Sequence, residues 1–199
     1  MERTTALVIL AAGGSSRLGQ PKQQLIFRGK TLLQRAIEAG LKSKCQRPLV
    51  ILGAYYEKLL FEIDTNRVDV LINPDWKEGM SSSIKKGIES LIKITPVDQV
   101  IFMLCDQPFV NENLLNQLIS VQRESNKPIV ACTYQGTLGV PVLFDQKFFP
   151  HLMKLKGHEG AKKIIQKFPQ EIIPLPFSLG HLDIDTQEDY LALLKNGQG

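Results

Sequence analysis

Apolar and polar positions alternate along the chain in blocks that predict strands and helices taking turns. Near-continuous apolar runs rich in Val and Ile occupy residues 4–11, 47–54 and 98–105, as expected for strands that are covered on both faces of a sheet. A shorter run at 67–73 fits the same pattern. Strands of this kind are usually parallel, so the first half of the chain predicts a parallel sheet.

Amphipathic segments between these runs predict the helices that return the chain for the next strand. One begins at Thr31, and another follows Asn111, which is placed as its N-cap. A third presents four apolar residues on one face: Ile84, Ile88, Leu91 and Ile92. This alternation predicts an α/β protein with a doubly wound, mostly parallel sheet and right-handed crossovers.

The alternation changes after residue 127. The strand at 127–134 is followed by the turn "QGTLG" and by "VPVLFD", too soon for a helix to intervene, which predicts a small antiparallel excursion. The remaining pattern predicts helices near 146–154 and 159–168, strands at "EIIPLP" and "HLDID", and a closing helix from Gln187. No internal repeat or linker interrupts the pattern, so we expect one domain over residues 1–199.

Composition narrows the function classes. The chain has 199 residues, of which 43% are hydrophobic, enough for one buried core. Its net charge of +4 is spread without a basic run, which favours a small anionic ligand over nucleic acid. The N-terminal apolar run is too short for a signal peptide or a membrane span. Cys45, Cys105 and Cys132 are too far apart for a disulfide framework or a CxxC metal site. We therefore expect a cytoplasmic protein that binds neither nucleic acid nor membranes.

The segment "VILAAGGSSRLGQPK" at 8–22 joins the first strand to the first helix, at the edge where open α/β sheets bind ligands. Its glycines let backbone N–H groups point at oxygen atoms, its serines add hydroxyl donors, and its basic residues supply charge. These residues are Gly13, Gly14, Ser15, Ser16, Arg17, Gly19 and Lys22. The segment favours a polyphosphate cradle over a simple turn, which would not require Arg and Lys together.

Two better known phosphate loops fit this segment poorly. A P-loop would continue after Gly19 with Lys-Ser or Lys-Thr, but Gln20-Pro21 follows. A dinucleotide fingerprint would need G-x-G-x-x-G and an acid after the second strand, and the sequence has neither. The segment therefore indicates phosphate binding of another kind.

Acidic residues follow two further predicted strands. Asp106, in "CDQP", ends an apolar strand, where a carboxylate is costly to bury unless it is paired or holds a cation. A metal ligand is favoured there over a helix cap, because Asn111 is the better cap. Asp183 and Asp185 share one face of "HLDID", although residues 185–188 also resemble an ordinary helix start.

Together and in this order, these segments resemble the MobA/MocA-like nucleotidyltransferases, the family of the molybdenum cofactor guanylyl- and cytidylyltransferases. The segment "LAAGGSSRLGQPK" is similar to the signature loop of that family, and "CDQP" stands where the family carries a metal-binding aspartate. The likeness continues in "NPDWKEGMSSSIKKGI", "GTLGVPVLF", "GHEGAKKII" and "DIDTQEDY" and covers essentially the whole chain. The later segments point to the cytidylyltransferase-like branch.

The resemblance implies a single Rossmann-like domain with a nucleotide-diphospho-sugar transferase-like fold and a Mg²⁺–NTP substrate. It also implies transfer of a nucleoside monophosphate with release of pyrophosphate. By match, Arg17, Lys22 and Asp106 would be catalytic, and Asp106 and Asp185 would bind the metal. The implied nucleotide contacts are Ala11, Ala12, Gly13, Gly14, Ser15, Lys22, Gly79 and Ser81. Ser81 fits an ordinary helix cap equally well. One departure is Gly157-His158, because the branch usually has an aspartate after this glycine.

The resemblance also suggests the two substrates. The guanylyl branch reads Leu-Ala-Gly-Gly where this chain reads Leu10-Ala11-Ala12-Gly13, so the methyl group of Ala12 is expected to favour CTP. The branch implies a phosphorylated, pterin-type acceptor (molybdopterin), with a molybdenum hydroxylase or its maturation factor as partner. Two alternatives stay open: transfer to a sugar phosphate or another small phosphomonoester, and a non-catalytic nucleotide-binding accessory protein.

Overall fold

A seven-stranded sheet forms the centre of the protein in this computed structural model, which describes residues 3–94 and 97–196. The strands, in chain order, are β1 (Thr5–Ala11), β2 (Ile26–Phe27), β3 (Lys30–Thr31), β4 (Leu49–Leu52), β5 (Asp69–Ile72), β6 (Gln99–Leu104), β7 (Ile129–Tyr134), β8 (Thr137–Asp145) and β9 (Ile172–Pro176). β2 and β3 pair with each other, and the other seven form the main sheet in the order β5-β4-β1-β6-β8-β7-β9.

The main sheet is mostly parallel. β1 pairs in parallel with β4 and β6, β4 with β5, and β7 with β9, whereas β8 runs antiparallel to both of its neighbours. The predicted fold and its antiparallel excursion are therefore confirmed. The turn before β8 is tighter than expected, because Gln135 and Gly136 both adopt positive φ, the conformation that suits a two-residue hairpin.

Seven α-helices are found in the described part of the chain. They are α1 (Leu32–Lys42), α2 (Tyr56–Leu60), α3 (Met80–Ile94), α4 (Glu112–Ser125), α5 (Phe149–Leu152), α6 (Ala161–Lys167) and α7 (Gln187–Asn196). The predicted cap of α4 is confirmed, since Asn111 Oδ1 accepts a hydrogen bond from the Leu114 N–H at 3.0 Å. The short helix α2 was not predicted.

Helices cover both faces of the sheet and bury its apolar residues. Leu7 of β1 packs in a core with residues of α1 and α4, and the next residue, Val8, points to the opposite core, with α3, α5 and α6. This explains why the strand sequences are apolar without alternation. Ile92 was wrongly assigned to the apolar face of α3 and is 62% exposed, because it lies about 80° around the helix from Ile84.

The C-terminal part differs from the expectation at one strand. β9 forms the sheet edge beside β7 and contains Pro174 and Pro176. The predicted strand at "HLDID" is wrong: residues Ser178–His181 form a 3₁₀ turn, and the following residues have no strand partner. The reason lies in the amide of Ile184, which donates to the carbonyl oxygen of Asp106 at 3.2 Å. This segment therefore crosses the end of β6 instead of extending the sheet.

Candidate active site

A pocket of about 570 Å³ lies at the carboxyl edge of the main sheet. It is bounded by the ends of β1 and β6, by the loop after β1 and by the start of α3. Nine of the residues that the sequence assigns to phosphate, nucleotide or metal binding line it: Ala11, Ala12, Gly13, Gly14, Ser16, Arg17, Lys22, Gly79 and Asp106. The sheet thus brings residues from three distant segments of the chain to one place.

The loop after β1 is held by Gln23. Its Nε2 donates to the carbonyl oxygens of Ala11 at 2.8 Å and Gly13 at 3.0 Å. Within the described part of the chain, the N–H groups of Gly13, Gly14 and Ser15 have no hydrogen-bond partner, so they are available to the oxygen atoms of a ligand. The Ser15 hydroxyl serves the loop itself, since it accepts from the Lys22 N–H at 3.0 Å.

Trp76 packs against this loop and forms one wall of the pocket. A Cβ atom on Gly14 would lie 3.1 Å from Trp76 Cζ3, and one on Gly53 would lie 2.7 Å from Trp76 Cβ. Glycine at both positions therefore allows the indole to approach the backbone. The sequence prediction missed Trp76, although its place just after the predicted strand at 67–73 puts it at the ligand-binding edge.

The charged centre of the site joins Lys22, Asp106 and Asp185. The Lys22 ammonium contacts Asp106 Oδ2 and lies 3.0 Å from Asp185 Oδ1. Arg17 Nη2 lies 2.7 Å from the other oxygen of Asp185. Asp106 is buried, and its Oδ1 atom has no hydrogen-bond partner in the described structure. All four predicted catalytic and metal-binding residues are thus in one cluster.

Electrostatics keeps this cluster charged. Burial alone would lower the pKa of Lys22, but the neighbouring carboxylates of Asp106 and Asp185 outweigh burial and raise it above its ordinary value. Burial would raise the pKa of Asp185, whereas Lys22 and Arg17 together lower it. Lys22 is therefore an ammonium and Asp185 a carboxylate at neutral pH.

The carboxylates fit a divalent cation that also binds substrate. Mg²⁺ is usually held by one or two carboxylates, with waters and substrate phosphates completing its shell. Asp106 and Asp185 supply two carboxylates, and the unpartnered Oδ1 of Asp106 is a free oxygen ligand. No group of three or more His, Cys, Asp or Glu side chains within 3–94 and 97–196 forms a self-sufficient metal site. The donor set therefore suits a metal that arrives with a nucleotide.

Asp185 is not used as the cap of α7. The helix start is made by Thr186 and Asp189: Asp189 Oδ2 accepts from the Thr186 N–H at 2.8 Å, and the Asp189 N–H donates to Thr186 Oγ1 at 3.2 Å. The ordinary helix start that the sequence allowed is present, but it involves Asp189. The carboxylate of Asp185 is consequently free to face Lys22.

The start of α3 supplies a further wall. Gly79 lines the pocket with φ of +105°, a conformation that favours glycine. Ser81 is 3% exposed and does not line the pocket; its N–H donates to the carbonyl oxygen of Gly157 at 3.2 Å. Ser83 lines the pocket instead. Other lining residues that the sequence prediction did not assign to the site are Leu10, Gln23, Trp76, Lys77, Met80, Leu104 and His158.

Comparison with known proteins identifies the family. Residues 7–172 match the family described as "MobA-like NTP transferase domain". The chain belongs to this family. It is accordingly a nucleotidyltransferase, and its substrate is a nucleoside triphosphate. The resemblance seen in the sequence is confirmed.

Relatives within this family carry several names. The chain is 28% identical to "Purine catabolism protein PucB" of Bacillus subtilis, covering 92% of each protein. It is 27% identical to "Nicotine blue oxidoreductase" of Paenarthrobacter nicotinovorans, over 94% of this chain and 95% of that protein. It is 23% identical to "Molybdenum cofactor cytidylyltransferase" of Escherichia coli, over 93% of each.

Solved structures share the fold of this MobA-like protein. The structure "Rv0371C complex with Manganese" from Mycobacterium tuberculosis H37Rv superposes with a TM-score of 0.79 at 26% identity, over 97% of this chain and 98% of that chain.

None of the helices in the described residues has the length and apolar character needed to span a bilayer.

Proposed function

We propose that this MobA-like protein transfers CMP from CTP, with Mg²⁺, to the phosphate of a molybdopterin-type acceptor and releases pyrophosphate. In this reaction Arg17, Lys22 and Asp106 are catalytic, Asp106 and Asp185 hold the metal, and the chain acts as one nucleotidyltransferase domain. The observation that carries the proposal is the cluster of Lys22, Asp106 and Asp185, of which Lys22 and Asp106 line the pocket together with the glycine loop.

The transfer needs positioning and charge neutralisation but no protein nucleophile. An oxygen of the acceptor phosphate attacks the α-phosphorus of the nucleotide, and the bond from that phosphorus to the β-phosphate oxygen breaks, so that pyrophosphate leaves. The free N–H groups of the loop and the Lys22 ammonium bind the phosphate oxygens and stabilise the negative charge that grows on the leaving group. A bound Mg²⁺ supplies further positive charge at the phosphates.

The choice of CTP rests on the family branch and on two residues of the pocket wall, Ala12 and Trp76. A relative named as a molybdenum cofactor cytidylyltransferase aligns over 93% of this chain. Ala12 lines the pocket between the loop and Gly53, and Trp76 closes the same region. A methyl group and an indole beside the base favour a pyrimidine, although one methyl group accounts for only about 1–3 kcal/mol of discrimination.

Pyrophosphate release tests the proposal. Wild-type protein and Mg²⁺ are combined with CTP, GTP, ATP or UTP and with molybdopterin, a sugar 1-phosphate or no acceptor. The expected result is release that depends on molybdopterin and is fastest with CTP. Equal or faster turnover with GTP would disprove the CTP assignment, and release with the sugar phosphate alone would disprove the acceptor. Binding of a nucleotide without any release would favour an accessory protein.

A further inference from the structure

Asn73 is a buried polar residue that the proposed mechanism does not use. It follows β5 directly and is 0% exposed. Its Oδ1 accepts from the Asp75 N–H at 3.0 Å, and its Nδ2 donates to Ser82 Oγ at 2.8 Å and to Ser83 Oγ at 2.9 Å. Because the oxygen is held by a backbone donor, the amide orientation is fixed, and both of its N–H donors point at serine hydroxyls.

The two hydroxyls that Asn73 contacts are not equivalent. Ser82 Oγ donates a hydrogen bond to the carbonyl oxygen of Gly79 at 2.8 Å, and Ser82 does not line the pocket. Ser83 Oγ has no acceptor for its proton in the described part of the chain, and Ser83 does line the pocket. A hydroxyl that accepts a hydrogen bond from Asn73 can still donate one through its own O–H group. Ser83 is therefore available as a hydrogen-bond donor to a ligand in the pocket.

This donor is hydrogen-bonded to Asn73 at the end of β5, whereas the charged centre includes Asp106 at the end of β6. Asn73 follows β5, while Asp106 follows β6, and the sheet order β5-β4-β1-β6 separates the two strands by three spacings, or about 14 Å. A nucleotide whose phosphates contact Lys22 would extend its nucleoside toward β4 and β5. Ser83 is therefore placed to meet the base rather than the phosphates.

We propose that Asn73 is a specificity-positioning residue: it fixes the Ser83 hydroxyl as a hydrogen-bond donor to an acceptor atom of the base. Cytosine presents two adjacent acceptors, N3 and O2, on its hydrogen-bonding edge, whereas guanine presents N–H donors at the corresponding positions. A Ser83 hydroxyl that is held as a donor thus favours cytosine over guanine. This inference rests on the proposed function for the identity of the base.

Four variants test the pair. Ser83→Ala removes the donor, and Asn73→Asp keeps the size of the side chain while replacing its donors with a carboxylate oxygen, which would draw the Ser83 proton away from the pocket. The double variant combines both changes. Ser82→Ala is the matched control, because it removes the other hydroxyl that Asn73 contacts without changing the pocket lining.

Binding is measured without catalysis, by the fluorescence of Trp76, the single tryptophan of the chain, during titration with CTP or GTP and Mg²⁺. Ser83→Ala and Asn73→Asp are each expected to raise the Kd for CTP about tenfold, with a smaller change for GTP. The Kd of the double variant for CTP is expected to equal that of the single variant with the higher Kd, because Asn73 acts through Ser83. Ser82→Ala is expected to stay within about twofold of wild type. Thermal unfolding shows that each variant is folded.

The outcomes separate this inference from the proposed function. A wild-type protein that prefers GTP disproves the CTP assignment, and with it the donor role of Ser83. A wild-type protein that prefers CTP while Ser83→Ala binds CTP normally disproves this inference alone. Strictly additive effects in the double variant, or an equal loss in Ser82→Ala, would assign Asn73 a structural role only. If Asn73→Asp does not fold, the CTP-to-GTP ratio of Ser83→Ala against that of Ser82→Ala decides.

Discussion

Lys22 Nζ lies 3.0 Å from Asp185 Oδ1, although 163 positions of sequence separate the two residues. Lys22 follows the glycine loop, whereas Asp185 lies between β9 and α7. The contact closes the site from the C-terminal side, because the segment before Asp185 is hydrogen-bonded to the end of β6 through Ile184 and Asp106. The charged centre therefore depends on correct folding of both ends of the chain.

Asp106→Asn should abolish most of the nucleotidyl transfer. The change removes a negative oxygen ligand and leaves the size of the side chain unchanged, so we expect the turnover number to fall at least about 100-fold while the fold remains. Pyrophosphate release and the thermal midpoint measure the two effects. Asp69→Asn, an exposed carboxylate at the start of β5, is the control and should keep full turnover. Turnover of Asp106→Asn within a few-fold of wild type would rule out the proposed role.

Lys22→Ala should slow transfer more than it weakens nucleotide binding, since the charge on the leaving group is larger in the transition state. The turnover number and the Kd for CTP are measured separately. Because the pKa of Lys22 is raised, its positive charge persists below that pKa, and wild-type turnover should show no loss between pH 7 and 9 from this residue. A rise in KM alone would make Lys22 a uniform binding contact.

Asp183 and Asp185 should affect stability in opposite directions at neutral pH. The pKa of Asp185 is lowered by Lys22 and Arg17 against the effect of burial, so its ionisation stabilises the folded state above the ordinary pKa of 3.8 and this contribution is lost as the pH falls through the folded value. The pKa of Asp183 is raised by burial and by the charges of Asp106 and Asp185. Its ionisation destabilises the folded state as the pH rises past 3.8.

The expected changes in unfolding free energy at pH 7 are therefore a small decrease for Asp185→Asn and a small increase for Asp183→Asn. Each should be below about 1 kcal/mol, because both carboxylates are partly solvated. Denaturant unfolding at pH 7 and pH 3 measures them, and both effects should shrink at the lower pH. Changes of the same sign at pH 7 would contradict this account of the site.

Ala12→Gly should raise the relative use of GTP without abolishing turnover of CTP. Ala12 is buried and lies beside Gly53 at the pocket wall, next to Trp76. Removing its methyl group widens that wall, and we expect the GTP-to-CTP ratio of kcat/KM to rise by about tenfold or more. Kinetics with both nucleotides measure the ratio. An unchanged ratio would mean that Ala12 does not contribute to the choice of base.

Gly79→Ala should destabilise the protein more than Gly136→Ala does. Both glycines have positive φ, so alanine strains the backbone at both. A Cβ atom on Gly136 has nothing within 4 Å, whereas one on Gly79 would overlap the carbonyl oxygen of Gly157. We expect about 1 kcal/mol for Gly136→Ala and at least 1–2 kcal/mol more for Gly79→Ala. Denaturant unfolding compares the two, and equal losses would show that the Gly157 loop moves aside freely.

The fold was largely predictable because it follows local patterns. Strands such as β1 and β6 are continuous apolar runs, and the Asn111 cap has a local signature. "HLDID" alternates like a strand, but the amide of Ile184 within it donates to the distant carbonyl oxygen of Asp106. No local pattern records that competition.

The charged residues of the site were predictable as individuals and not as a cluster. Burying a carboxylate such as Asp106 at the end of an apolar strand costs free energy unless it is paired or binds a cation. Its functional role could therefore be predicted from the sequence. The meeting of Lys22 with Asp185 depends on how the C-terminal segment crosses the sheet. Ser81 and Ser83 show the limit most simply: two residues along a helix turn the side chain by about 200°, and only the packed helix decides which one faces the pocket.

The prolines of β9 determine how this sheet can meet other molecules. The Phe177 N–H donates to the carbonyl oxygen of Thr133 in β7 at 2.9 Å. Because backbone N–H groups alternate in direction along a strand, the N–H positions of residues 172, 174 and 176 point away from β7, toward the open edge. Two of these three are prolines without an N–H group. A foreign strand would find a single backbone donor along this edge, too few for a stable ladder. The edge is therefore protected against amyloid-like stacking and strand exchange, even though it is open to solvent.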